Sequence, residues 1–126
     1  MERMINPQGI RPGNYLYFPK DNCNFTVDWG EIRMCESDPS LFNHIHKPIP
    51  ITPEILERAG FEPNINRNRF IFIHKRGEDI GDALWFTVHF KGKKTILIID
   101  VVDVKLDGFH HLQNILYDLC KIELTL

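Results

Sequence analysis

The stretch 109–121 has the clearest periodicity in the chain and limits how the fold can close. Its apolar residues recur three or four positions apart, at the spacing of one helical face: Phe109, Leu112, Ile115, Leu116 and Leu119. The opposite face carries polar residues: His111, Asn114, Asp118 and Lys121. Asp107 and Gly108 form a turn in front, with Asp107 placed as the N-cap. The stretch therefore predicts an amphipathic helix that packs on whatever precedes it.

Three strands are predicted ahead of this helix, at 69–75, 84–90 and 95–105. Their connections, GEDIGD (77–82) and KGKK (91–94), have the length and composition of hairpin turns. The third strand is apolar on both faces over its first half, which is typical of a central or covered strand. Together these features predict an antiparallel β-meander capped by the C-terminal helix. Residues 123–126 are a candidate last short strand.

The first half of the chain predicts shorter elements. Strands are expected at 14–18, 25–29 and 31–35, with Gly30 separating the last two, and a small curved sheet of the SH3-like kind would fit them. Residues 37–50 hold three prolines and no clean period, which favours an irregular connector. A short central helix follows, with Thr52 as N-cap, Pro53 in its first turn and Gly60 as the left-handed residue after it.

These elements predict an α+β fold in a single domain, 1–126. Its parts are an N-terminal β part (1–36), a connector with the short helix (37–62), and the meander with the C-terminal helix (63–126). The length is sufficient for a core without disulfides or metal. The net charge of −2 argues against a uniformly basic nucleic-acid-binding surface, although a local patch is compatible with it. Three cysteines without metal-knuckle spacing favour reduced thiols, and no apolar run approaches a membrane span. A cytoplasmic protein without membrane association is expected.

Three segments resemble a group of small uncharacterised proteins from phages and prophages of Bacteroidetes-type bacteria. The segment IRPGNYLYF (10–18) is similar to the group's early R-x-GNYV. PIPITPEILERAGF (48–61) is similar to PIPLTEEIL-x-x-x-GF, and HHLQNILYDLCKIEL (110–124) to the ending H-x-LQNLY-x-L-TG-x-EL. The three segments occur in the same order and span most of the chain.

The resemblance implies a mobile-element origin and a cytosolic setting. It brings no activity, cofactor or catalytic residue. At one point the chain departs from the pattern, since Cys120, Lys121 and Ile122 stand where the group has Thr-Gly. Without that glycine, the helix is expected to end one residue later or without a left-handed residue.

The histidines are weak candidates for a metal site or for general-base catalysis. His44 and His46 would share a face in a strand, as in some metal sites, but they lie in the Pro-rich connector without further ligands at suitable spacing. Two solvent-facing side chains are the alternative. His110 is expected near a sheet edge, where it could hydrogen-bond a strand carbonyl, and His111 on the polar helix face. A packing or capping role is favoured over general-base catalysis for this pair.

The cysteines and aspartates are equally weak as catalytic candidates. Cys35 and Cys120 adjoin apolar segments, so burial is favoured over reactivity for both, and Cys23 lies in a turn. Asp100, Asp103 and Asp107 follow the third strand. In a regular strand Asp100 and Asp103 point to opposite faces, which argues against a shared Mg²⁺ site for a nuclease. We therefore predict no enzyme, no metal and no cofactor.

Two functional hypotheses follow. The first is a non-catalytic phage or prophage accessory protein that binds a host protein or ribonucleoprotein, for example to inhibit a defence nuclease in the anti-CRISPR manner. Its working surface would be acidic or mixed, and the candidate residues are Glu31, Glu36, Asp38, Asp79 and Asp82.

The alternative is a small RNA- or DNA-binding module that uses a basic hairpin tip. Its candidate residues are Arg67, Arg69, Lys75, Arg76, Lys91, Lys93 and Lys94. Charged hairpin tips also serve to prevent edge-to-edge strand pairing. The protein is expected to be a monomer, or a homodimer if the strand face of Trp85, Thr87 and His89 stays uncovered.

Overall fold

The computed structural model describes residue 5 and residues 7–64, 68–75, 83–99 and 101–126. The first elements are a short 3₁₀ helix (Pro7–Gly9), β1 (Tyr15–Phe18), β2 (Cys23–Thr26), α1 (Trp29–Ser37), α2 (Pro39–Ile45), β3 (Lys47–Pro48) and α3 (Pro53–Arg58). They are followed by β4 (Glu62–Pro63), β5 (Arg69–Lys75), β6 (Ala83–Lys91), β7 (Lys94–Ile99), β8 (Val102–Lys105) and α4 (Phe109–Cys120). The predicted α+β class is confirmed, with an N-terminal β part, a meander and a C-terminal helix. Within the described ranges, no helix has the length and apolarity required to cross a membrane.

The chain forms two compact units. The first comprises Met1–Pro50 and Asp107–Ile122, and the second comprises Ile51–Leu106 and Glu123–Leu126. The C-terminal helix α4 therefore follows the meander in sequence, as predicted, and groups with the N-terminal strands and helices.

The first unit is built on a three-stranded antiparallel sheet in the order β2-β1-β3. In the central strand, Leu16 pairs with Phe25 of β2 and with Pro48 of β3. Leu16 packs in a cluster of buried side chains from the residues before β1, the β2–α1 connection, α1 and α2: Ile5, Ile10, Val27, Ile32, Cys35 and Phe42. This cluster is the core on which α1 and α2 lie.

Three predictions for the N-terminal part of this unit are wrong. The strand predicted at 25–29 ends at Thr26, and Trp29 begins helix α1. Residues 31–35, predicted as a strand of an SH3-like sheet, lie in helix α1. The irregular connector predicted at 37–50 contains α2 and β3. The physical reason is capping: Asp28 begins α1 through a reciprocal capping box with Glu31, and the Asp38 carboxylate accepts from Leu41 N–H, with Pro39 in the first turn of α2. These caps stabilise helices at positions where the sequence suggested other structures. Gly30 had suggested a break between two strands, and the prolines had suggested an irregular connector.

Helix α4 begins at Phe109 as predicted, but its ends differ from the expectation. Gly108, rather than Asp107, is the N-cap. A Cβ at position 108 would lie 2.9 Å from Cβ of Pro48, so a side chain at this position would collide with the strand. At the other end, Lys121 takes the left-handed conformation (φ 57°) and its N–H donates to the Tyr117 carbonyl. The lysine thus adopts the geometry that the sequence analysis tied to a glycine.

The buried face of α4 is polar at two positions, His110 and Gln113. Gln113 is fully buried, whereas Leu119, predicted on the apolar stripe, is 51% exposed. The Gln113 side-chain oxygen accepts from Tyr15 N–H at 2.8 Å, and its amide nitrogen donates to the Gly13 carbonyl at 3.1 Å. The Phe109 ring lies edge-on to the Tyr15 ring at 6.1 Å. The helix therefore anchors the start of β1 by both hydrogen bonds and ring packing.

The second unit contains a five-stranded antiparallel sheet in the order β4-β5-β6-β7-β8. The single strand predicted at 95–105 is in fact a hairpin, because the chain reverses after β7 and Ile99 pairs with Val102. Residues 123–126 do not lie in a strand, contrary to the expectation. Buried side chains from α3, the sheet and the tail form its core: Leu56, Phe61, Phe70, Phe86, Val88, Leu97, Leu106 and Leu124.

The short helix α3 in this unit begins and ends as predicted. The Thr52 hydroxyl accepts from Ile55 N–H at 3.2 Å, and Pro53 occupies the first turn. Gly60 has φ +101°, a conformation that side chains disfavour, and Phe61 follows it with its ring 5.3 Å from Phe72. The opposite sheet face leaves a cross-strand pair of large apolar side chains, Ile73 and Trp85, 44% and 52% exposed.

We expect Gln113→Leu to lower the free energy of unfolding by about 2–4 kcal/mol, because Tyr15 N–H and Gly13 C=O would lose a buried partner. Asp118→Asn, at an exposed position of the same helix, is the matched control and should change it by less than about 0.5 kcal/mol. Denaturant unfolding of the two variants checks this. Equal stability of the leucine variant and the wild type would contradict the anchoring role.

A pH dependence follows from His110. Burial, and secondarily the neighbouring His111, lower its pKa to about 4 against the opposing effect of Asp107. The unfolded chain, with a histidine pKa near 6.5, takes up the proton first as the pH falls. The contribution of the neutral His110 to the free energy of unfolding is therefore fully present above about pH 6.5. It is lost between about pH 6.5 and 4, and it amounts to about 3 kcal/mol.

Unfolding measured against pH checks this contribution. His110→Gln should be less destabilised than the wild type over that interval, whereas His44→Gln, at an exposed position, should follow the wild-type curve. Parallel curves for wild type and His110→Gln would contradict a neutral buried imidazole.

Candidate functional site

The acidic residues predicted as a binding surface do not all lie together. Glu31 is in the first turn of α1 and Glu36 near its end, while Asp38 separates α1 from α2. Five positions along a helix correspond to a rotation of about 140°, so Glu31 and Glu36 face different directions. Asp79 and Asp82 lie outside the described residues. Among the described members of the set, Glu31 lines a cavity.

This cavity lies in the first unit, where β1, β2, α1 and the end of α2 meet. It has a volume of about 440 Å³. Its wall is mainly aromatic and aliphatic, with two carboxylates, and the lining residues are Phe18, Phe25, Asp28, Gly30, Glu31, Met34, Ile45 and His46. We call it the Phe18–His46 cavity. No Lys or Arg belongs to its lining within the described part of the chain.

The aromatic wall is organised around the His46 ring. Phe18 stacks on this ring with centroids 5.8 Å apart, and Phe25 lies at 5.3 Å in a tilted arrangement. Phe42 contacts the imidazole from the core at 4.2 Å. Phe18 and Phe25 meet edge to face at 6.3 Å. Because each of these four rings packs against another, the wall has a defined shape.

The position of His46 contradicts the expectation of two solvent-facing histidines. His46 caps the end of α2 and is 7% exposed, whereas His44 is exposed. Its Nδ1 lies 3.0 Å from the Phe42 carbonyl, which accepts the ring N–H and leaves Nε2 as an acceptor. Burial lowers the pKa of His46, although the Phe42 hydrogen bond and the Glu31 charge oppose that effect. The imidazole is therefore neutral at pH 7.

The acidic side of the cavity is the start of α1. Oδ1 of Asp28 accepts from Gly30 N–H at 2.8 Å and from Glu31 N–H at 3.4 Å, and Oε2 of Glu31 accepts from Asp28 N–H at 3.0 Å. The caps hold both carboxylates in place, and each carboxylate has a second oxygen for a ligand.

The other histidine and cysteine candidates do not assemble a reactive centre. Nδ1 of His110 is buried without a hydrogen-bond partner, so the strand carbonyl expected for it is not found at that nitrogen. Burial raises the pKa of the Cys35 thiol, which confirms the structural interpretation of that residue. Cys120 is partly buried and Cys23 exposed. Among the described residues no group of three or more His, Cys, Asp or Glu side chains could hold a metal ion.

Most of the described basic residues of the alternative hypothesis lie at one end of the meander. Lys91 and Lys94 pair across the β6–β7 hairpin, and Lys93 is at its tip, all three exposed. Arg69 pairs with His89 near this end, and Lys105 pairs with Ile96 on the other side. Lys75 lies at the opposite end of β5, opposite Ala83. Arg67 and Arg76 lie outside the described residues. Lys105 was not among the predicted basic residues, because it joins this patch only through the β7–β8 hairpin.

The strand face considered for a homodimer is partly uncovered. Trp85 is 52% exposed, and Thr87 and His89 are half-buried. A shallow cavity of about 280 Å³ adjoins Trp85 and Ile73. Association through this face stays a prediction.

No protein-family model, curated protein or solved structure matches the chain.

The Phe18–His46 cavity was not predicted from the sequence, although one local signal was present. Asp28-Trp29-Gly30-Glu31 has the spacing of a capping box, an acidic cap followed three residues later by glutamate. Gly30 was instead interpreted as the break between two strands. A helix predicted at that point would have placed Glu31 and Met34, three residues apart, on one helical face.

Proposed function

We propose that this protein is a non-catalytic phage or prophage accessory protein that binds a basic surface of a host macromolecule through its first unit. The observation that carries the proposal is the Phe18–His46 cavity, where an aromatic wall adjoins the carboxylates of Asp28 and Glu31 without a Lys or Arg in the described lining. Interfaces gain much of their energy from such central pockets, and complementary charge sets specificity and association rate.

The mobile-element part of the proposal is supported by the three segments that resemble phage and prophage proteins. A host protein or ribonucleoprotein in the bacterial cytoplasm is the corresponding partner. Inhibition of a defence nuclease is the concrete version, because a nuclease binds nucleic acid in a basic channel that an acidic surface can occupy. No catalytic step is included, since neither Glu31 nor His46 is placed beside a nucleophile among the described residues.

Affinity capture with charge variants tests this function. A tagged full chain is incubated with nuclease-treated lysate of its native host, and wild type is expected to recover a stoichiometric protein partner. The double variant Asp28→Asn, Glu31→Gln should recover at least about tenfold less, because it removes two charges while both amides can still cap α1.

The triple variant Lys91→Ala, Lys93→Ala, Lys94→Ala is the control and should recover the partner like wild type. Absence of a stoichiometric partner, or equal recovery by the double variant, would refute binding through the acidic cavity.

A second candidate function is nucleic-acid binding by the meander. It is favoured by one observation, the grouping of Lys91, Lys93 and Lys94 with Arg69 and Lys105 at one end of the sheet. Lysine and arginine side chains grouped at one end of a sheet can contact the phosphates of a nucleic acid without recognising its base sequence.

This candidate predicts binding of single-stranded RNA that weakens roughly tenfold or more between about 50 and 200 mM salt, as expected for three phosphate contacts. The triple lysine variant should lose most of that binding, whereas Asp28→Asn, Glu31→Gln should retain it. Fluorescence anisotropy with a labelled oligonucleotide measures both effects. Binding that is insensitive to salt or to the lysines would exclude the patch.

A further inference from the structure

The lining of the Phe18–His46 cavity specifies the chemistry of its occupant. Two carboxylates, Asp28 and Glu31, adjoin rings that offer flat apolar faces, and no cation in the described lining neutralises them. An uncharged apolar occupant would leave both carboxylates next to apolar surface, which is unfavourable. A cation with a flat face would satisfy the carboxylates and the rings together.

We propose that the Phe18–His46 cavity binds an arginine side chain presented by the partner protein. This inference rests on the proposed function and narrows it to one recognition contact. The guanidinium group is planar, is weakly hydrated for a cation, and stacks on aromatic rings, whereas the lysine ammonium is compact and strongly hydrated. A guanidinium group also carries five N–H donors in a planar fork, so it can donate to two neighbouring carboxylates at once.

The geometry of the acidic side is compatible with that contact. The capping bonds occupy Oδ1 of Asp28 and Oε2 of Glu31, so the second oxygen of each carboxylate can accept from a guanidinium donor. The caps also fix the two groups before binding, which reduces the entropy lost on association.

The aromatic side is equally suitable. Phe18 and Phe25 are half-buried, so part of each ring is accessible in the wall, whereas the stacked imidazole of His46 is nearly covered. His46 is neutral because burial lowers its pKa, so it does not repel a cation. Met34 and Ile45 complete the wall and contact the aliphatic part of a long side chain.

Short peptides test the inference on the full chain. The probe is acetyl-Gly-Arg-Gly-amide, compared with the same peptide carrying citrulline or lysine in place of arginine. Citrulline keeps the planar head of arginine but is uncharged. Binding is followed by NMR through the Met34 and Ile45 methyl groups, whose signals report directly on the wall of the cavity.

We expect saturable shifts with the arginine peptide in the millimolar range and at least about tenfold weaker binding of the citrulline and lysine peptides. The double variant Asp28→Asn, Glu31→Gln should weaken binding of the arginine peptide by a similar factor. Glu36→Gln, on another face of α1, should leave this binding unchanged. The spectra of each variant also show whether it is folded.

Three results would overturn the inference: no saturable shift with the arginine peptide, equal binding of the citrulline peptide, or equal binding of the lysine peptide. The function itself is judged separately by affinity capture. If the arginine peptide fails while the Asp28→Asn, Glu31→Gln variant still loses the host partner, the acidic surface binds without an arginine in the cavity. If neither experiment responds to the two carboxylates, the inference and the proposed function both fail.

Discussion

The first unit depends on one buried amide. Gln113 accepts from Tyr15 N–H and donates to the Gly13 carbonyl, so it satisfies the backbone where β1 begins. Its neighbour Asn114 extends the contact by accepting from the Asn14 side chain at 2.8 Å. In a low-dielectric interior such bonds are strong when made and costly when lost. They therefore fix where β1 starts, and Phe18, three residues further on, enters the cavity wall as a consequence.

The sequence predicted those elements whose determinants are local. Helix α3 was predicted from Thr52 to Gly60 because cap, proline and left-handed glycine lie within nine positions. Strand β6 was predicted from alternation, since Leu84, Phe86, Val88 and Phe90 recur at every second position and form one apolar face. The α+β class and the start of α4 were also predicted, because the residues that determine them lie close together in the sequence. In each case neighbouring residues carry the whole signal.

The errors arose where partners are distant in sequence or where two local signals compete. The role of Gln113 was not predicted, because its partners Gly13 and Tyr15 lie about a hundred positions earlier and contact it only in the folded chain. Gly30 suggested a strand break, whereas the capping box of Asp28 and Glu31 determines a helix. The run 95–105 looked continuous because apolar residues occur in both β7 and β8, and no glycine or proline marks the reversal between them.

The cavity could not be predicted for a further reason, which also bears on how function is tested. Its wall is assembled from four elements, and Phe18, Phe25, Met34 and Ile45 each resemble ordinary core residues in the sequence. The net charge of −2 also concealed an acidic cavity in the first unit and a basic strand end in the second. Both surfaces lose affinity as salt rises, because salt screens either sign of charge. Salt dependence alone therefore cannot assign a function to this chain, and only variants that remove charge from one surface while preserving its caps and hairpins can separate the two.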